Sequence, residues 1–243
     1  MSGAQAREKQ FYDESVTHLS LAALQEHSAT VRKYVNAFAG RLDAFGTNRA
    51  LRVLELGAGS CVTSLLLSSR SDVQAIVCVD ISSRKMQEVL PTSIRAVGLC
   101  SPEKLTLVEG HFDARLPAEA EEFDVVIFDG ALHHARSMWF ILEECRRVLR
   151  PGGVLIAQRE QYLGAVTAGL KLSRLLQTPE VKAGVSENAY LRSQYEYYLR
   201  AVGFDAVTFL PVAETSFQKA FGFLNGLIFS KWVIWAQPAA QRV

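Results

Sequence analysis

Two histidines and a glutamate offer the most reactive side chains in this sequence: His133 and His134 in FDGALHH, and Glu160 at the end of VLIAQRE. An imidazole titrates near neutrality, so either histidine suits removal of a proton from a hydroxyl or an amine. A carboxylate nearby suits orienting the molecule that loses it. Each also has a structural use, because one histidine can cap or pack against the helix that follows, and Glu160 can pair with Arg159. A second set lies upstream. LELGAGSC carries Gly57 and Gly59, whose missing side chains let a ligand come against backbone. Asp80 ends AIVCVD about twenty residues later, the spacing of a carboxylate that takes both hydroxyls of a ribose.

For these residues to meet, the chain has to bring them to one edge. Segments 51–56 (LRVLEL), 74–80 (QAIVCVD), 104–110 (KLTLVEG), 123–130 (FDVVIFDG) and 154–160 (VLIAQRE) are short, near-continuous apolar runs, the pattern of strands buried on both faces. Helical stretches alternate with them. Residues 60–70 are expected to form a helix capped by Ser60, and 82–97 one capped by Ser82 or Ser83 and kinked or broken at Pro91. Residues 136–149 read as a helix with an apolar face of Trp139, Phe140, Leu142 and Val148, stopped by RPGG. Upstream, Leu21, Leu24, Val31, Val35, Phe38 and Leu42 recur at helical spacing, so 14–45 predicts one or two helices, punctuated by Gly40 and Gly46. Downstream, 161–185 reads as irregular helix, 187–204 as a helix ending near Gly203, and DAVTFLP and KWVIWAQP as late strands. The expected class is α/β, a doubly wound sheet of up to seven strands with helices on both faces. Ligands of such sheets sit at the carboxyl ends of the strands, where the glycine turn, Asp80, both histidines and Glu160 fall.

With 243 residues and no linker or repeat, the chain reads as a single domain: a helical cap over 1–48, a core over 49–160 and a last part, 161–243. Lys and Arg number 26 against 25 Asp and Glu, so no charge excess asks for nucleic acid. The four cysteines have neither a C-x-x-C pair nor histidines at zinc-site intervals, so free, mostly buried thiols are expected, and no metal. The polar start, MSGAQAREKQFYDES, is no signal peptide, and the expected location is the cytoplasm. The longest apolar stretch, FQKAFGFLNGLIFSKWVIWA, is interrupted by Lys219, Gly222, Asn225, Gly226 and Lys231. That argues against a membrane span while leaving room for peripheral contact with a membrane surface.

A glycine turn followed by a strand-end acid serves two cofactor classes, dinucleotides and S-adenosylmethionine. Val62 stands where the third glycine of the dinucleotide fingerprint would lie, and a β-branched residue crowds that helix–strand contact. Glu55, just before the turn, would repel a pyrophosphate at the helix N-terminus and would attract the ammonium and sulfonium of S-adenosylmethionine.

In order and spacing, VLELGAGS, VCVDIS, LVEGHFDARLP with EFDVVIFDGALHH, and VLRPGGVLI resemble the class I S-adenosylmethionine-dependent methyltransferases of the small-molecule type. The likeness covers about residues 50–160 plus the late strands, and departs from the family at Cys61, where a third glycine is frequent. It implies a Rossmann-like seven-stranded sheet of order 3-2-1-4-5-7-6 with strand 7 antiparallel, and S-adenosylhomocysteine as product. It further implies backbone of Gly57, Ala58 and Gly59 under the methionine part, Glu55 near its ammonium, Asp80 on the ribose and Ile81 against the adenine. Phe112 and Asp113 would frame the adenine, while Asp129 and Gly130 would wall the site near the methyl. Tyr12, in FYDE ahead of the first helix, is expected over the site as a lid, while the tyrosines from 190 to 198 read as ordinary helix packing. The apolar character of YLGAVTAGLKLSRLL and FGFLNGLIF, in the part that carries acceptor specificity in the family, suggests a partly apolar small-molecule acceptor: a polyketide, quinone or lipid-linked intermediate. O-methylation is expected first, with His133, His134 or Glu160 as base. A homodimer is compatible with the sequence. Two rival readings are a protein that binds S-adenosylmethionine without transferring methyl, as a scaffold or pericyclic-type catalyst, and an NAD-dependent oxidoreductase.

Overall fold

The computed structural model describes residues 3–15, 19–45, 50–164, 167–212 and 232–239. Its first helices are α1 (Gly3–Glu14) and α2 (Leu21–Leu42), followed by β1 (Leu51–Leu56), α3 (Val62–Ser68), β2 (Val73–Asp80), α4 (Ser83–Val97) and β3 (Leu105–Glu109). The chain continues through β4 (Phe123–Asp129), α5 (Met138–Val148) and β5 (Leu149–Gln158). Two short strands, β6 (Tyr162–Leu163) and β7 (Tyr190–Leu191), flank α6 (Ala168–Leu175) and α7 (Pro179–Lys182); α8 (Arg192–Ala201), β8 (Phe204–Pro211) and β9 (Trp232–Pro238) complete the chain.

The main sheet runs β3-β2-β1-β4-β5-β9-β8, while β6 and β7 pair apart from it. Counting the main sheet alone, this is the expected order 3-2-1-4-5-7-6, with β9 antiparallel to both neighbours. Alternation along the strands splits the core in two. Val53, Val125, Ile127, Val154 and Ile156 face α2, α3 and α4, whereas Leu54, Leu56, Val126, Phe128 and Leu155 face α5 and α8. Strands buried on both faces hold their ends rigidly, and the β1, β2 and β4 ends carry the glycine turn, Asp80 and Asp129.

Several expected details differ. Helix α3 starts at Val62, behind Cys61 in the left-handed region (φ 57°) with no side-chain cap, so Ser60 is not its cap. Ser82 does cap α4, accepting from the Lys85 N–H, and α4 runs continuously through Pro91. Helix α5 buries Met138, Ile141, Leu142, Cys145 and Val148, while Trp139 is 41% exposed, its ring meeting Tyr197 and Tyr198 edge-on. The expected helix over 187–204 gives its first residues to β7. An unexpected helix, α1, contains Tyr12 and buries none of its residues, so it carries no apolar period to read. All four cysteines are free. Among the described residues no helix is long and apolar enough to cross a membrane. Gly46 and FGFLNGLIF lie outside the described residues.

Candidate functional site

The turn after β1 folds back on the end of β2. Gly57 and Ala58 donate to the Val79 carbonyl at 2.8 and 3.1 Å, and Gly59 donates to Asp80 Oδ2 at 2.8 Å. Asp80 Oδ1 accepts from the Ser82 N–H at 2.9 Å, so one carboxylate ties two turns together. Burial pushes that carboxyl above its usual range, against the pull of the Ser82 and Gly59 donors. Glycine is required at 57: φ is +72°, and an added Cβ would stand 2.5 Å from the Ala131 Cβ and 3.0 Å from the Phe112 ring.

Above this turn lies a cavity of about 350 Å³. Gly57, Ala58, Gly59, Asp80 and Ile81, all read as cofactor-binding, are among the residues that line it. Phe112, Asp113, Asp129 and Gly130 line it as well. Phe112 stands edge-on to Phe128, 5.7 Å between centroids. Asp113 is 3.1 Å from Arg136 Nε, and Asp129 accepts from Thr63 Oγ1 and Arg159 Nε.

Glu55 does not line the cavity. It is buried beneath the turn, where Oε2 accepts from the Ser64 N–H at 3.0 Å and from the Ser64 hydroxyl. Burial, followed by the neighbouring Cys78, drives its carboxyl well above its usual 4.5. Its expected place beside a ligand's ammonium is therefore corrected: it ties α3 to β1. A carboxyl raised on folding favours the fold most below its unfolded pKa and progressively loses that advantage as pH rises. Glu55→Gln should thus melt above the parent at about pH 8, with the gap closing toward about pH 4. A pH-independent difference in thermal melts would refute this account.

Helix α1 lies over the opening, held mainly by polar contacts and by the ring of Tyr12. Lys9 reaches the Ile81 carbonyl at 3.2 Å and Glu109 at 2.9 Å, Glu8 pairs with Arg136 at 3.2 Å, and Asp13 accepts from the Ser82 hydroxyl. Tyr12 lines the cavity with its hydroxyl 3.5 Å from His134 Nε2, and the Lys85 ammonium lies 5.0 Å from the centre of its ring. Burial raises the Tyr12 phenol, so it stays protonated and donates.

The three candidate bases separate. His133 is 4% exposed and does not line the cavity; its Nδ1 is 2.7 Å from Glu160 Oε2. Glu160 also accepts from the N–H groups of Ala131, Leu132 and His133, which makes it the internal staple of this turn. His134 alone of the three faces the cavity. Its Nδ1 is 2.7 Å from the Ser186 carbonyl and 3.0 Å from Glu187 Oε2. With two acceptors at Nδ1, the proton belongs there, which leaves the Nε2 lone pair on the cavity side. Burial works to lower the His134 pKa, but Glu187 and the Ser186 carbonyl prevail and hold it above its usual 6.5. Glu187 escaped the sequence reading, since nothing in the spacing of ENAY marks it; the Asn188 amide brings it here by donating to the His133 carbonyl at 2.9 Å. Lys85, His27 and Arg159, which also line the cavity, were missed as well.

Residues 54–157 match the family described as "Methyltransferase domain". Over these residues the chain is similar to a methyltransferase domain, in keeping with the resemblance its motifs carry. Its cofactor is S-adenosylmethionine. The chain is 27% identical over 206 residues to the 27-O-demethylrifamycin SV methyltransferase of Amycolatopsis mediterranei (strain S699), covering 83% of this chain and 73% of that one. Its fold resembles that of the Haloferax volcanii protein solved in complex with the Trm112 methyltransferase activator (TM-score 0.62, 16% identity, 91% and 96% covered). It also resembles the [4+2]-cyclase SpnF (TM-score 0.52, 20% identity, 68% and 56% covered). The cavity fits the cofactor: a glycine cradle that a Cβ would fill, a carboxylate at the end of β2 with acceptor capacity to spare, and apolar surface from Ile81 and Phe112. No described residue beyond Arg159 lines the cavity; among the described residues after 160, Ser186, Glu187 and Asn188 reach it indirectly, through His133 and His134.

Proposed function

We propose that the chain moves a methyl group to a hydroxyl of a small, partly apolar acceptor, with His134 as the general base. One observation carries this reading: His134 borders the cavity while Glu187 and the Ser186 carbonyl hold Nδ1 from behind, an arrangement that favours the proton on Nδ1 and leaves Nε2 to accept one. A hydroxyl has to lose its proton as the new bond forms, and an anchored imidazole removes it without reorganising. The named activity of the Amycolatopsis relative, methylation of a 27-O-demethyl compound, supports oxygen as the accepting atom.

S-adenosylmethionine, when bound, supplies a methyl group on a sulfonium that needs no further activation. The chain's task is to bind, align and exclude water. The backbone of Gly57, Ala58 and Gly59 would hold the methionine part, Asp80 would accept from the ribose hydroxyls, and Ile81 and Phe112 would offer apolar surface to the adenine. Asp113, paired with Arg136, would accept from the exocyclic amine, and Asp129 and Gly130 would wall the methyl side. The cap, 1–48, covers the core, 49–160: Leu19, Ala23 and Leu24 add apolar wall where the acceptor enters, and Tyr12 shields the site from water. His133 and Glu160 position His134 by fixing the turn that carries it.

Isotope-labelled methyl transfer from S-adenosylmethionine to a panel of hydroxylated aromatic and macrocyclic compounds tests the reading. Labelled ether together with S-adenosylhomocysteine is expected. A substrate converted with no S-adenosylhomocysteine formed would overturn methyl transfer in favour of the non-methylating alternative.

A further inference from the structure

Among the described residues, one set of His, Cys, Asp and Glu side chains gathers three ligand atoms: His133, His134 and Glu187, all within 4.8 Å of one another. We propose that His133 Nε2, His134 Nδ1 and the Glu187 carboxylate bind a divalent first-row transition-metal ion behind the cavity wall. Three observations support it independently of any methyl acceptor.

The first is spacing. His133 Nε2 lies 3.6 Å from Glu187 Oε1, and His134 Nδ1 lies 3.0 Å from Oε2. In a tetrahedral site with bonds of about 2.0–2.1 Å, ligand atoms stand roughly 3.3 Å apart; each histidine nitrogen lies near that distance from one oxygen of the Glu187 carboxylate, and the three ligand atoms fall within 4.8 Å of one another. The second is the support behind the ligand. Glu160 holds His133 Nδ1 at 2.7 Å, which fixes the tautomer with its proton there and directs the Nε2 lone pair at Glu187. Two acceptors then face each other and need a cation between them. A carboxylate behind the far nitrogen of an imidazole is the outer support that metal-binding histidines use. The third is charge. Two neutral imidazoles with the carboxylates of Glu160 and Glu187 sum to −2, which a divalent ion neutralises in a place where the three ligand side chains are only 5, 18 and 7% exposed. Two imidazoles and one carboxylate favour transition ions over Mg²⁺. On binding, the His134 proton moves from Nδ1, where it meets the Ser186 carbonyl, to Nε2, toward Tyr12, so at any one time His134 either binds the metal or offers Nε2 as a base.

Calorimetric titration of the metal-free full chain with Zn²⁺, with Mg²⁺ as the hard-ion control, reads the site without cofactor or acceptor. Its result is therefore separate from that of the methyl-transfer test. One equivalent of Zn²⁺ and no Mg²⁺ should bind, and Co²⁺ should give visible d–d bands with no thiolate charge-transfer band. Glu187→Gln should weaken Zn²⁺ at least about tenfold. His134→Ala, which removes a different ligand and keeps the Glu187 carboxylate, should do the same and covers a Glu187 variant that fails to fold. Cys100→Ser, which removes the one cysteine that is not buried, should bind as the parent does. No saturable binding, binding retained in both ligand variants, or binding lost in the cysteine variant would each overturn the site. In those cases the proton alone bridges His133 and Glu187.

Discussion

His134→Ala should lower kcat for methyl transfer by about 10²–10⁴-fold, the contribution of a positioned general base. Affinity for S-adenosylhomocysteine, measured by calorimetry, should stay near that of the parent, because the Gly57–Gly59 turn and Asp80 do not depend on the imidazole. Added imidazole should restore part of the rate, since the vacated space borders the cavity. The contrast with His133 sharpens the test. Removing the His133 ring takes a partner from the buried Glu160 carboxylate, at about 1–3 kcal/mol of stability, so its loss should be visible first as a lower melting temperature. A His134→Ala enzyme with the parent's kcat would remove His134 from the chemistry.

The second large effect is expected at Asp80. Its two oxygens accept from the N–H groups of Gly59 and Ser82 and keep further lone pairs for the ribose. Hydrogen bonds to a charged group contribute about 1.5–3 kcal/mol each, and two ribose hydroxyls are involved. Asp80→Asn loses the charge and points an amide N–H₂ at one of two backbone donors, so the turn loosens as the ligand loses its acceptor. S-adenosylhomocysteine affinity should fall by about 100-fold or more, read as Kd by calorimetry. Unchanged affinity in a folded Asp80→Asn variant would refute the ribose role.

The parts of this architecture that were legible in the sequence are those where one physical constraint acts alone. The strands ending at Leu56, Asp80 and Asp129 announce themselves because burial on both faces leaves them mostly apolar, with few polar residues such as Glu55 and Asp124. Helix α2 shows because one stripe, from Leu24 to Leu42, meets the core, although Leu21, read in the same stripe, is exposed. Helix α1 has no such stripe, since it is held by ion pairs with partners far along the chain. Ser60 looked like a cap because serine at a helix start commonly is one, but the left-handed Cys61 lies between it and α3. His133 and His134 are adjacent on a single tight turn, and which of them meets the cavity depends on a turn direction that no periodicity records. Glu55 was read as a ligand because it precedes the glycines, whereas alternation along β1 and the donors of Ser64 turn it inward. Glu187 became part of the site only when residues 186–188 folded against the turn after β4.

The closure over the cavity has a kinetic consequence. Because α1 buries no side chain, what keeps it shut is a set of ion pairs and hydrogen bonds at least partly open to solvent, among them Lys9 with Glu109 and Glu8 with Arg136. Such contacts are individually weak and weaken further with added salt. The residence time of the spent cofactor should therefore shorten as ionic strength rises, giving turnover a dependence on dissolved ions that the buried chemistry itself would not have.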